Sequence, residues 1–415
     1  MKVFKFGGAS LKTANGIKNV SSIIQAQKGN KLLVIVSAMG KTTDMLERVL
    51  NLSASDQEFE QTLSSLKNYH YEVIDELFAD GGSVTKQVNE VFSNLEEQLN
   101  KDADFDQVYD QVVSLGEVLS SVIVHNYLLS RNVASHWIDA RNFIQTDSTF
   151  REGKVDWSVT AECIQELKSI LSDKIIITQG FIGRTPDGYT TTLGREGSDF
   201  SAAIFASSLQ AESVTIWKDV PGVMNADPRK FPNALVFAEL PFKEAAEMTY
   251  YGASVIHPKT IKPLANKSIP LLVKNFDDPM LPGTIIHECT VENLPPLIVL
   301  KENQCLISCK VTDYTFISEE QLSIIFNELL ELNIRINVMQ NSAISFSFCI
   351  DFRESKVMKL IEKLHRNFEV YYNTGLTLIT VKNYDEESSE RYRKMDGVLL
   401  EQSSRSTLQV LVRKF

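Results

Sequence analysis

KFGGAS, residues 5–10, follows directly on the strand signal Lys2-Val3-Phe4-Lys5, and its reading decides the fold. The adjacent glycines, Gly7 and Gly8, let the backbone come within van der Waals reach of a ligand, and the N–H groups of the helix start that follows can receive an anion. Lys5 supplies a positive charge beside them. The arrangement reads as a phosphate cradle other than a Walker A loop, because the GxxxxGK[ST] spacing is absent. A Gly-Gly turn also serves as plain punctuation between strand and helix, so the rest of the chain has to decide.

At about 140 residues per domain the chain has room for two or three domains, and its 43% apolar content supplies a core. The formal charge of −11, from 42 basic and 53 acidic residues, argues against nucleic acid or another polyanion, whose binding runs on counterion release from clustered Lys and Arg. An anionic substrate must then be gathered by local cations. The N-terminal MKVFKFGG lacks an apolar h-region and no stretch approaches ~20 apolar residues. Neither secretion nor membrane spanning is therefore expected, and a cytoplasmic location is. Five cysteines, Cys163, Cys289, Cys305, Cys309 and Cys349, contain no CxxC pair and read as reduced thiols without a metal or disulfide role.

Short β-branched runs alternate with helical patterns over the first two thirds, which predicts an α/β fold with a mainly parallel sheet sandwiched by helices. The strand candidates are Leu32–Val36, Val133–Ile138, Lys174–Thr178, Ser213–Trp217 and Pro270–Val273. Residues 56–131 read as a helical insertion covering that sheet. Pro295-Pro296 breaks the pattern and marks a linker. Beyond it, strand 305–311, helix 319–333, strands 334–339 and 344–351, helix 354–366 and strand 368–372 give the βαββαβ order of a ferredoxin-like unit. Strand 376–382, a polar helix near 387–395 and strands near 397–401 and 407–413 begin a second α+β unit, which Leu297–Leu300 completes without a closing helix. The expected domains are 1–294, then 304–373, then a truncated unit of 297–303 plus 374–415.

Further segments carry chemistry. TTTLGREGSDFSAA (190–203) holds a second glycine-rich loop with Gly194 and Gly197, Ser198 as the expected N-cap, Asp199 in the first helical turn, and Arg195 as a bidentate carboxylate or phosphate binder. Two such loops in one α/β sheet place a site at the strand C-termini. VIVSAMGKTTD (34–44) brings the hydroxyls of Ser37, Thr42 and Thr43. In SLGEVLSS (114–121) Glu117 interrupts an apolar helix and needs a partner, either an incoming ammonium group or an internal Lys or Arg. WKDVPGVMNADPR (217–229) suits an adenine and phosphate pocket or an ordinary Pro-Gly loop.

In this order, together with EAAEMTYYGASVIHP (244–258), the segments resemble the aspartokinases of the amino-acid-kinase superfamily over essentially the whole chain. The resemblance implies an amino-acid-kinase fold followed by ACT-type units. It also implies transfer of the ATP γ-phosphoryl group to the side-chain carboxylate of L-aspartate, giving 4-phospho-L-aspartate for the lysine, threonine and methionine branch. By the resemblance, Lys5 and Asp199 are catalytic. Ser37, Thr43, Glu117, Arg195 and Ser198 bind aspartate, with Glu117 on the α-ammonium and Arg195 on a carboxylate. Lys5, Gly7, Gly8, Lys218, Asp219, Met224 and Arg229 bind ATP. Mg²⁺ is expected with the triphosphate, with no metal site formed by protein ligands alone.

Several positions depart from the family pattern. Ala9, Lys218, Met224 and Ser254 stand where Thr, Thr, Tyr and Lys are frequent, and Glu196 replaces a glycine, with its side chain expected to point outward. The effector turn TFISEEQ (315–321) has no glycine, and the facing strand offers the amides Asn337, Gln340 and Asn341, which suit threonine better than lysine if there is an effector. The ACT-like units are expected to hold a homodimer or a higher homo-oligomer. Another amino-acid kinase, for glutamate or UMP, and a catalytically dead amino-acid sensor are the competing readings. No homoserine dehydrogenase module is expected.

Overall fold

The computed structural model describes residues 1–27, 29–253, 256–312 and 315–413. The chain folds as two compact units, one of residues 1–223, 236–246 and 254–291, the other of residues 224–235, 247–253 and 292–415.

The first unit carries β1 (Lys2–Phe6), β2 (Leu32–Val36), β3 (Ser135–Trp137), β4 (Ile175–Gln179), the hairpin β5 (Ile182–Arg184) and β6 (Thr190–Thr192), β7 (Ser213–Lys218), β8 (Glu239–Pro241), β9 (Leu271–Asn275) and β10 (Thr284–His287). Its eight-stranded sheet runs β3-β4-β2-β1-β7-β9-β10-β8. All neighbours are parallel except β9 and β10, so the expectation of a mainly parallel sheet holds. β2, LLVIV, is buried at every position, the pattern of a central strand covered on both faces.

The helices up to residue 265 are α1 (Gly8–Leu11), α2 (Ala14–Gln25), α3 (Thr42–Ala54), α4 (Glu60–Leu77), α5 (Gly82–Leu99), α6 (Phe105–Val113), α7 (Leu115–Ser130), α8 (Trp157–Gln165), α9 (Leu167–Ile170), α10 (Gly197–Leu209), α11 (Phe242–Tyr251) and α12 (Pro258–Ala265). α4 to α7 form the expected helical insertion. The run Phe105–Ser130, 26 residues, is long and apolar enough to cross a membrane, contrary to the expectation that no such stretch exists. Most of it is buried inside the fold, and α7 packs on β3 and β4 as a core helix. α10 is lined by Ala202, Ala203 and Ala206, all fully buried. These small side chains let it approach β1 closely, so a large residue there would overpack the core.

Inside the insertion His70 is completely buried. Its Nδ1 lies 2.8 Å from the Leu66 carbonyl, to which it donates, and Nε2 faces Thr42 Oγ1 at 3.5 Å. Burial pushes its pKa down to about 4, so the ring is neutral at pH 7. It thereby buttresses the start of α3, which begins with Thr42 and Thr43.

The second unit has one six-stranded antiparallel sheet in the order β12-β13-β11-β14-β16-β15. Its elements are β11 (Leu297–Lys310), α13 (Glu319–Glu331), β12 (Ile336–Asn341), β13 (Ser345–Asp351), α14 (Glu354–Leu364), β14 (Glu369–Lys382), α15 (Glu386–Arg393), β15 (Val398–Ser403) and β16 (Thr407–Val412). β12-β13-β11-β14 with α13 and α14 is the ferredoxin-like order read from the sequence. Where the sequence suggests separate strands, β11 and β14 each run through as one. Pairing between them shifts between Lys301 and Gln304 and again between Gln304 and Leu306, with Asn303 and Gly375 at positive φ. Polar and glycine residues that look like turns are bulges that swing the strands from one helical layer to the next. Cys305, Ile307 and Cys309 face Ile325, Leu329, Val357 and Leu360, whereas Ile379, Val381, Val410 and Val412 pack with Tyr392 of α15.

Candidate active site

The C-terminal ends of β1, β2 and β7 lie side by side because Phe6 pairs with Val36 and with Trp217. Lys5, Ser37 and Lys218 are thus delivered to one edge of the sheet, where open α/β sheets bind ligands. A cavity of about 570 Å³ lies there, lined by these residues together with Gly8, Thr43, Glu117, Arg195, Ser198 and Asp199. Gly7 adjoins it: a Cβ there would sit 3.5 Å from Lys5 Nζ. Gly8 has a different reason, since a Cβ would lie 2.8 Å from the Ala38 carbonyl and 2.9 Å from that of Gly40. A Cβ at the first glycine would make an ordinary contact with the ammonium group, whereas the second glycine is what lets the β1 and β2 loops touch.

Lys5 Nζ lies 2.6 Å from Asp199 Oδ1, and Lys218 Nζ lies 3.8 Å from Oδ2 of the same carboxylate. Burial alone would push the Asp199 carboxyl up, but the two lysines hold it below the usual carboxylate range. One buried anion thus fixes two cations at the cavity floor. Glu117, 3% exposed, accepts a hydrogen bond from the Ala38 N–H at 3.3 Å through Oε1. Its Oε2 has no hydrogen-bond partner among the described residues, and none of their Lys or Arg side chains forms an ion pair with it, so the internal salt bridge is not what is built. Burial pushes its pKa up to about 8, against the pull of the Ala38 N–H and of Lys5.

Two expectations about the second glycine-rich loop are corrected. Ser198 is not the N-cap: α10 begins at Gly197 and its N-cap is Glu196, with φ 53° and no side-chain cap bond. The turn closes early, through a Gly197 N–H bond to the Gly194 carbonyl, and carries Ser198 into the first helical turn. Nor does Glu196 point outward. It lines the cavity, and its Oε2 is shielded with no hydrogen-bond partner among the described residues.

Asp219 follows Lys218 as an exposed residue beyond β7. Met224 and Arg229 belong to the second unit, where Arg229 makes a bidentate pair with Asp227 at 3.0 and 2.8 Å. Ser254 lies outside the described residues.

Sequence reading missed Tyr109, Arg151 and Glu152, which also line the cavity. Arg151 has φ 68°. Its guanidinium carbon stacks 4.1 Å from the Tyr109 ring centroid and its Nη1 meets Asp106 at 3.1 Å. The backbone N–H groups of Arg151 and Thr192 both donate to Asp110 Oδ2 at 2.9 Å, and Thr192 Oγ1 donates to Oδ1 at 2.7 Å. Asp110 is fully buried and joins the Arg151 loop and the end of β6 to α6. A buried aspartate on a helix is the one local hint of such an anchor, because its partners are remote in sequence.

A model described as the amino acid kinase family matches residues 1–275. Over 396 residues the chain is 30% identical to the lysine-sensitive aspartokinase 3 of Escherichia coli, covering 92% of this chain and 87% of that one. It is 31% identical over 367 residues to the chloroplastic aspartokinase 1 of Arabidopsis thaliana, covering 84% of this chain and 63% of the relative. It matches the chloroplastic bifunctional aspartokinase/homoserine dehydrogenase 1 of Zea mays at 35% identity, covering 68% of this chain and 32% of that relative's length. The crystal structure of E. coli aspartokinase III in complex with aspartate and ADP superposes with a TM-score of 0.85 at 28% identity, covering 99% of this chain and 96% of that one.

Asp110→Ala strands two backbone N–H groups and a hydroxyl, and is expected to lower unfolding free energy by ~3 kcal/mol or more. Urea denaturation measures this, and a loss below ~1 kcal/mol would show that water replaces the carboxylate at little cost.

Proposed function

The chain belongs to the amino acid kinase family, and from that premise we propose how its cavity works. It is an ATP-dependent aspartate kinase, which moves the γ-phosphoryl group of ATP to the side-chain carboxylate of L-aspartate to yield 4-phospho-L-aspartate and ADP. The observation that carries the reading is the Lys5–Asp199 pair in the same cavity as an unpartnered, buried Glu117 oxygen.

Lys5 neutralises charge on the phosphoryl group in flight, and Asp199 holds its ammonium in place, with Lys218 as a second cation. The acceptor carboxylate is already ionised, so positioning and electrostatic stabilisation do the work and no base is required. Glu117 takes the α-ammonium, Arg195 a carboxylate, and Ser37, Thr43 and Ser198 the remaining polar edges of aspartate. Gly7 and Gly8 lie against the phosphates, and Asp219, directly after Lys218, serves the nucleotide. Glu196, whose buried Oε2 lines the cavity with no hydrogen-bond partner among the described residues, is the carboxylate that would help to hold a Mg²⁺ ion arriving with the triphosphate, which would neutralise part of the phosphate charge.

Residues 1–294 are assigned to catalysis, and 304–373 and 297–303 plus 374–415 to two ACT-type units that hold a homodimer. The enzyme works in the cytoplasm, at the first step toward lysine, threonine and methionine.

A coupled ADP-release assay should show turnover with aspartate well above that with glutamate or UMP, and Lys5→Ala should lower kcat by at least ~10²-fold. Equal turnover of UMP, or a Lys5→Ala loss confined to the KM for ATP, would remove the assignment.

The Glu117 pKa gives a pH signature. Its folded value of about 8 leaves it mostly protonated at pH 7, whereas an arriving ammonium group requires the anion. Aspartate binding should therefore release a proton, and the KM for aspartate should fall as pH rises from about 6.5 to about 8.5, by up to ~10-fold per unit below the pKa. Glu117→Gln should flatten that slope, and a parent enzyme with a flat profile would contradict the role.

For regulation, Asn337 no longer counts as an effector ligand. Its Oδ1 accepts from Lys301 at 2.8 Å and its Nδ2 donates to Gln304 at 2.7 Å and to Asp351 at 2.9 Å. Gln340 and Asn341 are exposed, and their amides suit threonine better than lysine if there is an effector, unlike the lysine-sensitive E. coli relative. Titration calorimetry and sedimentation on the full chain test both claims. Submillimolar lysine binding would overturn the first and a monomer the second.

A further inference from the structure

We propose that Glu239, His287 and Cys289 form a binding site for a divalent transition-metal ion of the zinc type, apart from the phosphoryl-transfer cavity. β8 and β10 pair in parallel with Glu239 opposite Ile285 and His287 opposite Pro241. Leu240 and Ile286 are buried on one face, while Glu239 and Ile285 are exposed on the other. Alternation along the strand places His287 on that outer face, and Cys289 follows two residues on, just past the end of β10.

The donor atoms converge. His287 Nε2 lies 3.3 Å from Glu239 Oε2, and the ligand atoms of all three residues lie within 4.8 Å of one another. Ligands held at ~2.0–2.3 Å around a tetrahedral ion stand roughly 3.3–3.7 Å apart. The carboxylate–imidazole edge already has that length, and a small side-chain adjustment closes the thiol. A plain surface ion pair accounts for the Glu and the His but gives no reason for the sulfur to point at them. One nitrogen, one oxygen and one sulfur suit zinc or cobalt, whereas magnesium and calcium take oxygen donors. Three protein ligands leave a fourth position for water.

The surroundings favour a cation. A divalent ion placed between the Glu239 carboxylate, the His287 ring and the Cys289 sulfur would meet donors of the three kinds that such ions take. β8 is the terminal strand of the sheet and leads directly into α11, so a bound ion would staple that edge. Cys289 reads as an ordinary thiol from its spacing because its partners come from a separate strand.

Titration of the full-length reduced protein with Co²⁺ tests the site without reference to catalysis. A single equivalent is expected to bind with a thiolate-to-cobalt charge-transfer band, displaced by Zn²⁺, abolished in Cys289→Ser and retained in Cys163→Ser. His287→Gln and Glu239→Gln should each weaken binding at least ~10-fold. Absence of the band in the parent, or its survival in Cys289→Ser, would overturn the proposal.

Discussion

Everything at the cavity depends on keeping one buried carboxylate ionised. Asp199 sits in a helix whose neighbours are almost all apolar, where an unpaired charge would be prohibitive. It survives because Lys5 is carried to it by the end of β1 and Lys218 by the end of the adjacent β7. A pair of this kind contributes little net stability, since desolvation offsets most of the attraction. Its value is geometric: an ammonium group with four rotatable stem bonds is held at one point without needing a ligand to order it.

The same helical environment gives the opposite result at Glu117. No lysine among the described residues is paired with it, and a backbone N–H is too weak to offset burial, so its carboxyl leans toward the neutral form. Two acidic residues in one cavity therefore differ in charge at neutral pH because one has cationic partners and the other has none among the described residues. Divergent environments of this sort separate the roles of side chains that carry the same carboxyl group.

Much of this was legible in the sequence. The strand-end motifs KFGGAS, SAMGKTTD and GREGSD mark chain segments that leave a parallel sheet, and sheet geometry brings their first residues together regardless of sequence distance. The ferredoxin-like order was legible too, because α13 and α14 are amphipathic and the strands between them alternate. What escaped has physical reasons. β5, β6, β8 and β10 are three or four residues long, too short for a periodicity. The wall built by Tyr109, Arg151 and Asp110 depends on partners in other elements. The fate of Glu196 turns on a left-handed backbone position, which aims the side chain inward and has no signature in a residue type that rarely adopts it.

The two long strands of the second unit have a consequence for how the chain is made. The first half of β11 pairs with the second half of β14, and all of α13, β12, β13 and α14 is synthesised between them. Leu297–Lys301 therefore leaves the ribosome well before the segment that covers its edge. The ferredoxin-like unit in between must take shape first, and its closing strand then continues as the partner the waiting segment needs. Assembly has an imposed direction: the β14–β16–β15 end of the sheet closes on Leu297–Lys301 only after the ferredoxin-like part has formed, and a failure there leaves that segment as an unpaired edge.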